Sequence, residues 1–123
     1  MEILGKRCDL LIFDEGHRLK NKKSKIFLKL KQFPCSKRIL LTGTPLQNNL
    51  AELYTCLSIV NPTLFESENI FLNVFQKPII SGMAKNSTKE QKEVALARTK
   101  ELAARIKGFS LRRNADVLER YLP

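Results

Sequence analysis

The chain has a single histidine and three cysteines in 123 residues, and no Cys-x-x-Cys pair. Cys8, Cys35 and Cys56 are odd in number and widely spaced, and His17 cannot complete a zinc site with them in sequence, so neither a zinc ribbon nor a disulfide framework is expected. They read as core thiols of a reducing compartment. No run of about 18 apolar residues occurs, so no membrane-spanning helix and no membrane partner are expected. Met1 leads into Glu2 and Gly5-Lys6-Arg7 without an apolar core, which argues against a secretory signal. Internal repeats and low-complexity tracts are also missing. Acidic residues are scarce: 12 against 22 basic ones, for a formal charge of +10. The excess is uneven, with +7 over residues 1–50, −2 over 51–80 and +5 over 81–123. Such a balance suits an anionic partner, nucleic acid first among them, although solvated helix faces produce the same count.

Among what is present, the stretch "LLIFDEGHRLKN" stands out. Residues 8–13 read as a short strand, apolar on both faces as in a parallel sheet covered by helices. It runs into adjacent carboxylates, Asp14 and Glu15. A helix is predicted over 24–33, with Ser24 as N-cap, Ile26, Phe27, Leu30 and Phe33 on one face, lysines on the other and Pro34 as the stop. "SKRILLTGTP" supplies a second buried strand, 38–41, closing on Thr42, Gly43, Thr44 and Pro45. Strand, helix, strand is a βαβ unit with parallel strands. Ligands of open α/β sheets bind beyond the carboxyl ends of the strands, so "DEGH" and "TGTP" are expected to meet at one rim. A parallel pair needs neighbours to cover its edges, which points to a piece of a larger domain.

The remainder reads as helical. Asn49 with Glu52 caps a helix carrying Leu50, Leu53, Tyr54, Leu57 and Val60, stopped by Asn61-Pro62. Ser67 caps a short helix with Ile70, Phe71, Val74 and Phe75. Residues 78–87 read as a loop containing Gly82. Thr88 with Gln91 caps a long charged helix to about Lys107, whose apolar face is Leu102, Ala103, Ile106 and Phe109, with Gly108 as its C-terminal stop. "NADVLERYLP" adds a further short helix.

A carboxylate at the end of a buried strand suits a hard cation, and in nucleotide hydrolases a strand-terminal Asp holds Mg²⁺ on the phosphates, often through water. The neighbouring Glu15 is placed to polarise an attacking water, and His17 to hydrogen-bond across to the second loop. Taken alone, the same pair also fits an ordinary turn or a helix N-terminus favoured by the dipole. Direct metal ligation by Asp14, Glu15 and His17 has no second histidine or cysteine pair behind it. In the second loop, Thr42 and Thr44 offer hydroxyls, Gly43 offers close backbone approach, and Gln47, Asn48 and Asn49 add amides, the last with a capping role of its own.

"DEGHRLKN" followed by "LTGTPLQNNL" closely resembles the Swi/Snf-type ATPases of helicase superfamily two, double-stranded DNA translocases built from two RecA-like lobes. The first match corresponds to their Walker B box and the second to their motif three. "FSLRRNADVLERYLP" resembles the "RR…LP" segment of their helical insertion. Gly16, "FQKPIISG" and "LRR" resemble the Rad-type homologous-recombination branch, whereas "LQNNL" is common to chromatin remodellers. The resemblance implies an α/β fold, the second part of a RecA-like P-loop NTPase lobe over 1–62 and a mostly helical insertion over 63–123. It implies ATP and Mg²⁺ as cofactors, Asp14 holding the metal through water, and Glu15 activating the hydrolytic water. His17, Thr42, Gly43 and Thr44 would couple hydrolysis to movement. Gln47, Asn48, Arg112 and Arg113 would contact DNA or the other lobe, with packing or salt bridges as the competing role for the arginines. Double-stranded DNA, a recombinase filament or nucleosomes would be the partners, and the nucleus the location.

One departure counts against activity of these residues by themselves. No G-x-x-x-x-G-K-[ST] loop occurs, and Gly5-Lys6 lacks the rest of one. With no phosphate loop and no second lobe, an internal fragment without ATPase activity of its own is expected. A non-catalytic remnant that binds DNA or a protein through its basic surface is the competing reading, and an RNA helicase of the same superfamily a third.

Overall fold

The computed structural model describes residues 8–16, 19, 24–43 and 49–112. The chain divides into two compact units, Met1–Gln76 and Lys77–Pro123.

The first unit holds the βαβ crossover. Strand β1 (Leu11–Phe13) pairs in parallel with β2 (Arg38–Leu40), Leu11 opposite Arg38 and Phe13 opposite Leu40. Helix α1 (Lys25–Lys31) joins them, and the Ser24 hydroxyl accepts from Phe27 N–H at its start. Phe13, Phe27 and Ile59 form the buried core under the strands, with Leu11, Leu19, Leu30 and Leu40 packed around it. The expected helix face is corrected at Ile26. That residue is 65% exposed, because a seven-residue helix turns only Phe27 fully inward.

The strands are apolar on both faces, as expected, but only one face is covered. Ile12 and Ile39 are register partners on the other face, and they are 56% and 44% exposed, with Leu10 and Leu41 also exposed beside them. Alternation sends every second side chain to that face.

Helix α2 (Leu50–Val60) follows, and the Asn49 side chain accepts from both Ala51 and Glu52 N–H. It buries Leu53, Thr55, Cys56, Leu57, Ser58 and Ile59, more than one stripe. The hydroxyls on this inner side are satisfied within the helix, Thr55 on Ala51 O at 2.8 Å and Ser58 on Thr55 O at 2.8 Å. Helix α3 (Glu68–Phe71), capped by Ser67, runs into a wide π-turn over Leu72–Gln76. Tyr54, Phe65, Phe71 and Phe75 assemble a second core, with ring centroids 4.9 Å apart for Tyr54–Phe71 and edge-on at 4.9 Å for Phe65–Phe71. Phe71 and Phe75 are fully buried, and each such side chain contributes roughly 1.5–3 kcal/mol.

The second unit is a helical hairpin. Residues expected to form a loop over 78–87 instead begin as helix α4 (Lys77–Met83). Pro78 lacks the N–H and crowds the carbonyl one turn back, but the widened turn just before it already departs from the regular ladder and takes up that defect. Gly82 is needed for a different reason than a loop. A Cβ there would lie 2.3 Å from Ala95 Cβ and 2.6 Å from Gln91 O, so its bare backbone lets α4 close against α5 (Lys89–Lys107). The Thr88–Gln91 capping box starts α5 as expected. Ala95 and Leu102 are its buried residues, while Ala103 and Phe109 are exposed, so the expected apolar face is narrower and begins earlier. Gly108 caps the end in a right-handed conformation, φ −69°. On the outer surface Glu101 receives Arg98 at 2.7 Å and Arg105 at 2.8 Å, and the two guanidinium groups, Arg98 first, hold its carboxyl below the usual range. The helix expected in "NADVLERYLP" lies outside the described residues. No helix of the described residues is long and apolar enough to cross a membrane.

Candidate functional site

The two polar loops meet as their sequence positions require. Parallel register places the carboxyl ends of β1 and β2 side by side. Leu41 N–H donates to Phe13 O at 2.7 Å, and Gly16 N–H then donates to Leu41 O at 2.8 Å. The turn Asp14–Gly16 is thereby tied to the residue that precedes Thr42.

The turn is built with some strain. Glu15 has φ 56°, the left-handed region, which costs a non-glycine residue roughly 1–2 kcal/mol. This reversal is what carries the chain back so that Gly16 reaches Leu41. Asp14 has a local task too, because its Oδ1 accepts from Glu15 N–H at 2.8 Å. Both carboxylate residues are exposed and Gly16 is buried. A Cβ on Gly16 would meet Leu40 Cδ2 at 2.4 Å, so the turn lies directly on the β2 side chain. From below, the Cys56 thiol of α2 donates to Gly16 O at 3.9 Å. Burial, then the charge of Glu52, pushes that thiol up to about 11. Thr42 is half-buried and Gly43 exposed, with open space where a Cβ would stand on Gly43.

Among the described residues no three His, Cys, Asp or Glu side chains gather into a cage. One exposed strand-end carboxylate would instead suit a largely hydrated hard cation such as Mg²⁺. Asp14, Glu15, Thr42 and Gly43 therefore lie on one rim. Arg112 is exposed at the far end of the second unit's described residues. His17, Thr44, Gln47, Asn48 and Arg113 lie outside the described residues.

One residue that anchors the opposite end of β2 has no sequence signature. Arg38, the first residue of β2, donates Nε to Cys35 O at 2.9 Å, Nη1 to Ile59 O at 2.9 Å and Nη2 to Phe33 O at 2.8 Å. A cation thus gathers the carbonyls at the ends of α1 and α2, where the helix dipoles favour positive charge. A lone arginine ahead of "ILL" gives no hint of this, because its partners are backbone carbonyls, three to five residues back in the turn after α1 and, for Ile59, 21 residues on.

Comparison with known proteins agrees with this geometry. The family model described as the SNF2-related domain matches residues 2–123. The DNA repair and recombination protein RAD54B of Homo sapiens is 39% identical over 122 residues, covering 99% of this chain and 13% of that protein. Protein CHROMATIN REMODELING 25 of Arabidopsis thaliana is 39% identical over 116 residues, covering 94% of the chain and 13% of the relative. The Sulfolobus solfataricus SWI2/SNF2 ATPase core, solved in complex with dsDNA, superposes with a TM-score of 0.68 at 30% identity, over 94% of this chain and 22% of that one. The chain thus spans about 13% of the length of the curated relatives it matches.

Proposed function

The chain belongs to the family of SNF2-related domains, and on that premise we propose that it forms part of an ATP-dependent translocase on double-stranded DNA, acting in repair by homologous recombination. In this reading residues 1–62 are the later part of the first RecA-like lobe and 63–123 the helical insertion. The observation that carries the proposal is the Gly16–Leu41 hydrogen bond. It couples the carboxylate turn to the threonine loop, so a change at the nucleotide can be felt at the second loop.

Asp14 would hold Mg²⁺ through water, and Glu15 would orient and deprotonate the attacking water. Bound magnesium neutralises charge on the phosphates. His17, Thr42, Gly43 and Thr44 relay the nucleotide state. Gln47, Asn48, Arg112 and Arg113 would contact DNA or the second lobe. The +10 charge supports a nucleic-acid partner. The kinship to RAD54B favours the recombination branch, with a recombinase filament as protein partner and the nucleus as location. The plant relative's name supports nucleosomal DNA as a further substrate.

The test is Glu15→Gln in a complete translocase containing these residues. Nucleotide binding is expected to persist, while DNA-stimulated hydrolysis falls about 10²-fold or more, the usual worth of a general base. Turnover close to that of the parent would remove Glu15 from the water-activating role.

A further inference from the structure

The strand pair has a second end, opposite the carboxylate rim. Cys8 precedes Leu11 by three residues and Cys35 precedes Arg38 by three, and Leu11 is the register partner of Arg38. The two cysteines therefore occupy equivalent places at the foot of neighbouring parallel strands. Pairing reaches towards that end, where Leu11 N–H donates to Lys37 O at 2.9 Å. The thiols also share one local geometry: Cys8 Sγ donates to Leu10 O at 3.4 Å and Cys35 Sγ to Lys37 O at 3.2 Å. Both accepting carbonyls flank the Leu11–Lys37 pairing, so the two thiols are gathered at one place. In the paired segment, which begins three residues beyond each cysteine, neighbouring strands run about 4.8 Å apart, inside the Cα separation of roughly 4.4–6.8 Å that a disulfide spans. Cys8 is half-exposed and Cys35 buried.

We propose that Cys8 and Cys35 are an oxidisable dithiol, a modification site at which a hydroperoxide forms an intramolecular disulfide joining the foot of β1 to the foot of β2. Cys8, the accessible thiol, reacts first. Its sulfur, as thiolate, attacks the peroxide oxygen, the O–O bond breaks, and Cys8 sulfenic acid and an alcohol (water, for hydrogen peroxide) result. The Cys35 sulfur then attacks the Cys8 sulfur. The S–S bond forms, the S–O bond breaks, and the hydroxyl leaves as water with the Cys35 proton. Two thiols and one hydroperoxide give one disulfide, one alcohol and one water. The contact with Cys35, and then burial, raise the Cys8 thiol above 9.0. This slows the first step, which needs the thiolate, without obstructing the second. Cys56 is excluded by place, since its sulfur sits against Gly16 O at the other rim.

The full chain, reduced and folded, is treated with millimolar hydrogen peroxide, denatured in N-ethylmaleimide, digested without reductant and mapped by mass spectrometry. A peptide pair linked through Cys8 and Cys35 is expected, with Cys56 alkylated and the link lost on adding dithiothreitol. The oxidised chain should melt higher by roughly 5 °C, because the strap restricts the unfolded chain. In Cys35→Ser, Cys8 should accumulate as a dimedone-trapped sulfenic acid. Alkylation of both Cys8 and Cys35 after peroxide, a link to Cys56, or links only between chains would each overturn the proposal. The mapping of the unsubstituted chain decides even where Cys35→Ser folds poorly.

Discussion

Substituting Gly16 by alanine probes how tightly the carboxylate turn is seated on β2. The new Cβ would stand 2.4 Å from Leu40 Cδ2, 2.5 Å from Cγ and 2.9 Å from Cδ1, where carbon atoms ordinarily rest about 3.5–4.0 Å apart. Because Cγ itself is in the way, spinning the terminal methyls cannot clear the clash. Either the Leu40 side chain adopts another rotamer or the Asp14–Gly16 turn lifts and stretches the Gly16–Leu41 hydrogen bond. Overpacking of this kind costs about 1–3 kcal/mol. Gly16 does not require the left-handed region, so the stiffer unfolded chain returns roughly 0.4–1 kcal/mol. The expected net loss is about 0.5–2 kcal/mol. Leu40→Ala alone, at a half-buried position, should cost about 1–2 kcal/mol, below the range for full burial. In the double variant the obstacle is gone, and the Gly16→Ala penalty should vanish. Urea unfolding of the four proteins measures this as a coupling of about 1 kcal/mol. Additivity within about 0.3–0.5 kcal/mol would show that the turn does not rest on Leu40.

Other substitutions test the surrounding scaffold and the charge. Arg38→Met should lower stability by about 2–4 kcal/mol, since three carbonyls lose a charged donor. Arg38→Lys should recover less than half of it, because an ammonium cannot span the same fork. Cys56 has a folded pKa raised from 9.0 to about 11. Its neutral form is therefore the one the fold favours, and the stability it lends is complete below pH 9 and lost as pH rises towards 11. Thermal melts over that window should fall less steeply for Cys56→Ala, and parallel slopes would refute the assignment. Binding to duplex DNA should weaken steeply with salt, as backbone contacts release counterions. A flat dependence in a filter or anisotropy titration would argue against the basic surface as the DNA-facing one.

The parts of the fold governed by local chemistry were legible in the sequence. Ser24, Asn49, Ser67 and Thr88 each cap the helix expected, because a short polar side chain meets N–H groups two or three residues on. The rim was legible for a similar reason: two apolar runs ending in polar turns, joined by one helix, leave parallel pairing as the natural arrangement. Residues 78–83 depart from the expected loop, while 84–87 keep to it, because Pro78 and Gly82 are breakers only in a regular, isolated helix. A preceding π-turn accommodates the one, and the close approach of α5 makes use of the other. Periodicity points Ile26 inward, but a seven-residue helix is too short to enforce it. The Cys8–Cys35 neighbourhood was not visible, since it depends on register between segments, and the Arg38 clamp was not, since its acceptors are backbone carbonyls that carry no side-chain signature.

The backbone of Glu15 has an evolutionary corollary. Its left-handed φ of 56° is one that glycine or asparagine occupies more comfortably. Laboratory selection of this chain for thermal endurance alone, with no demand on activity, should therefore discard Glu15 early, at a gain of roughly 0.5–1 kcal/mol. A carboxylate thus sits where folding by itself favours glycine or asparagine, and the charge it brings to the rim comes at a cost in the backbone.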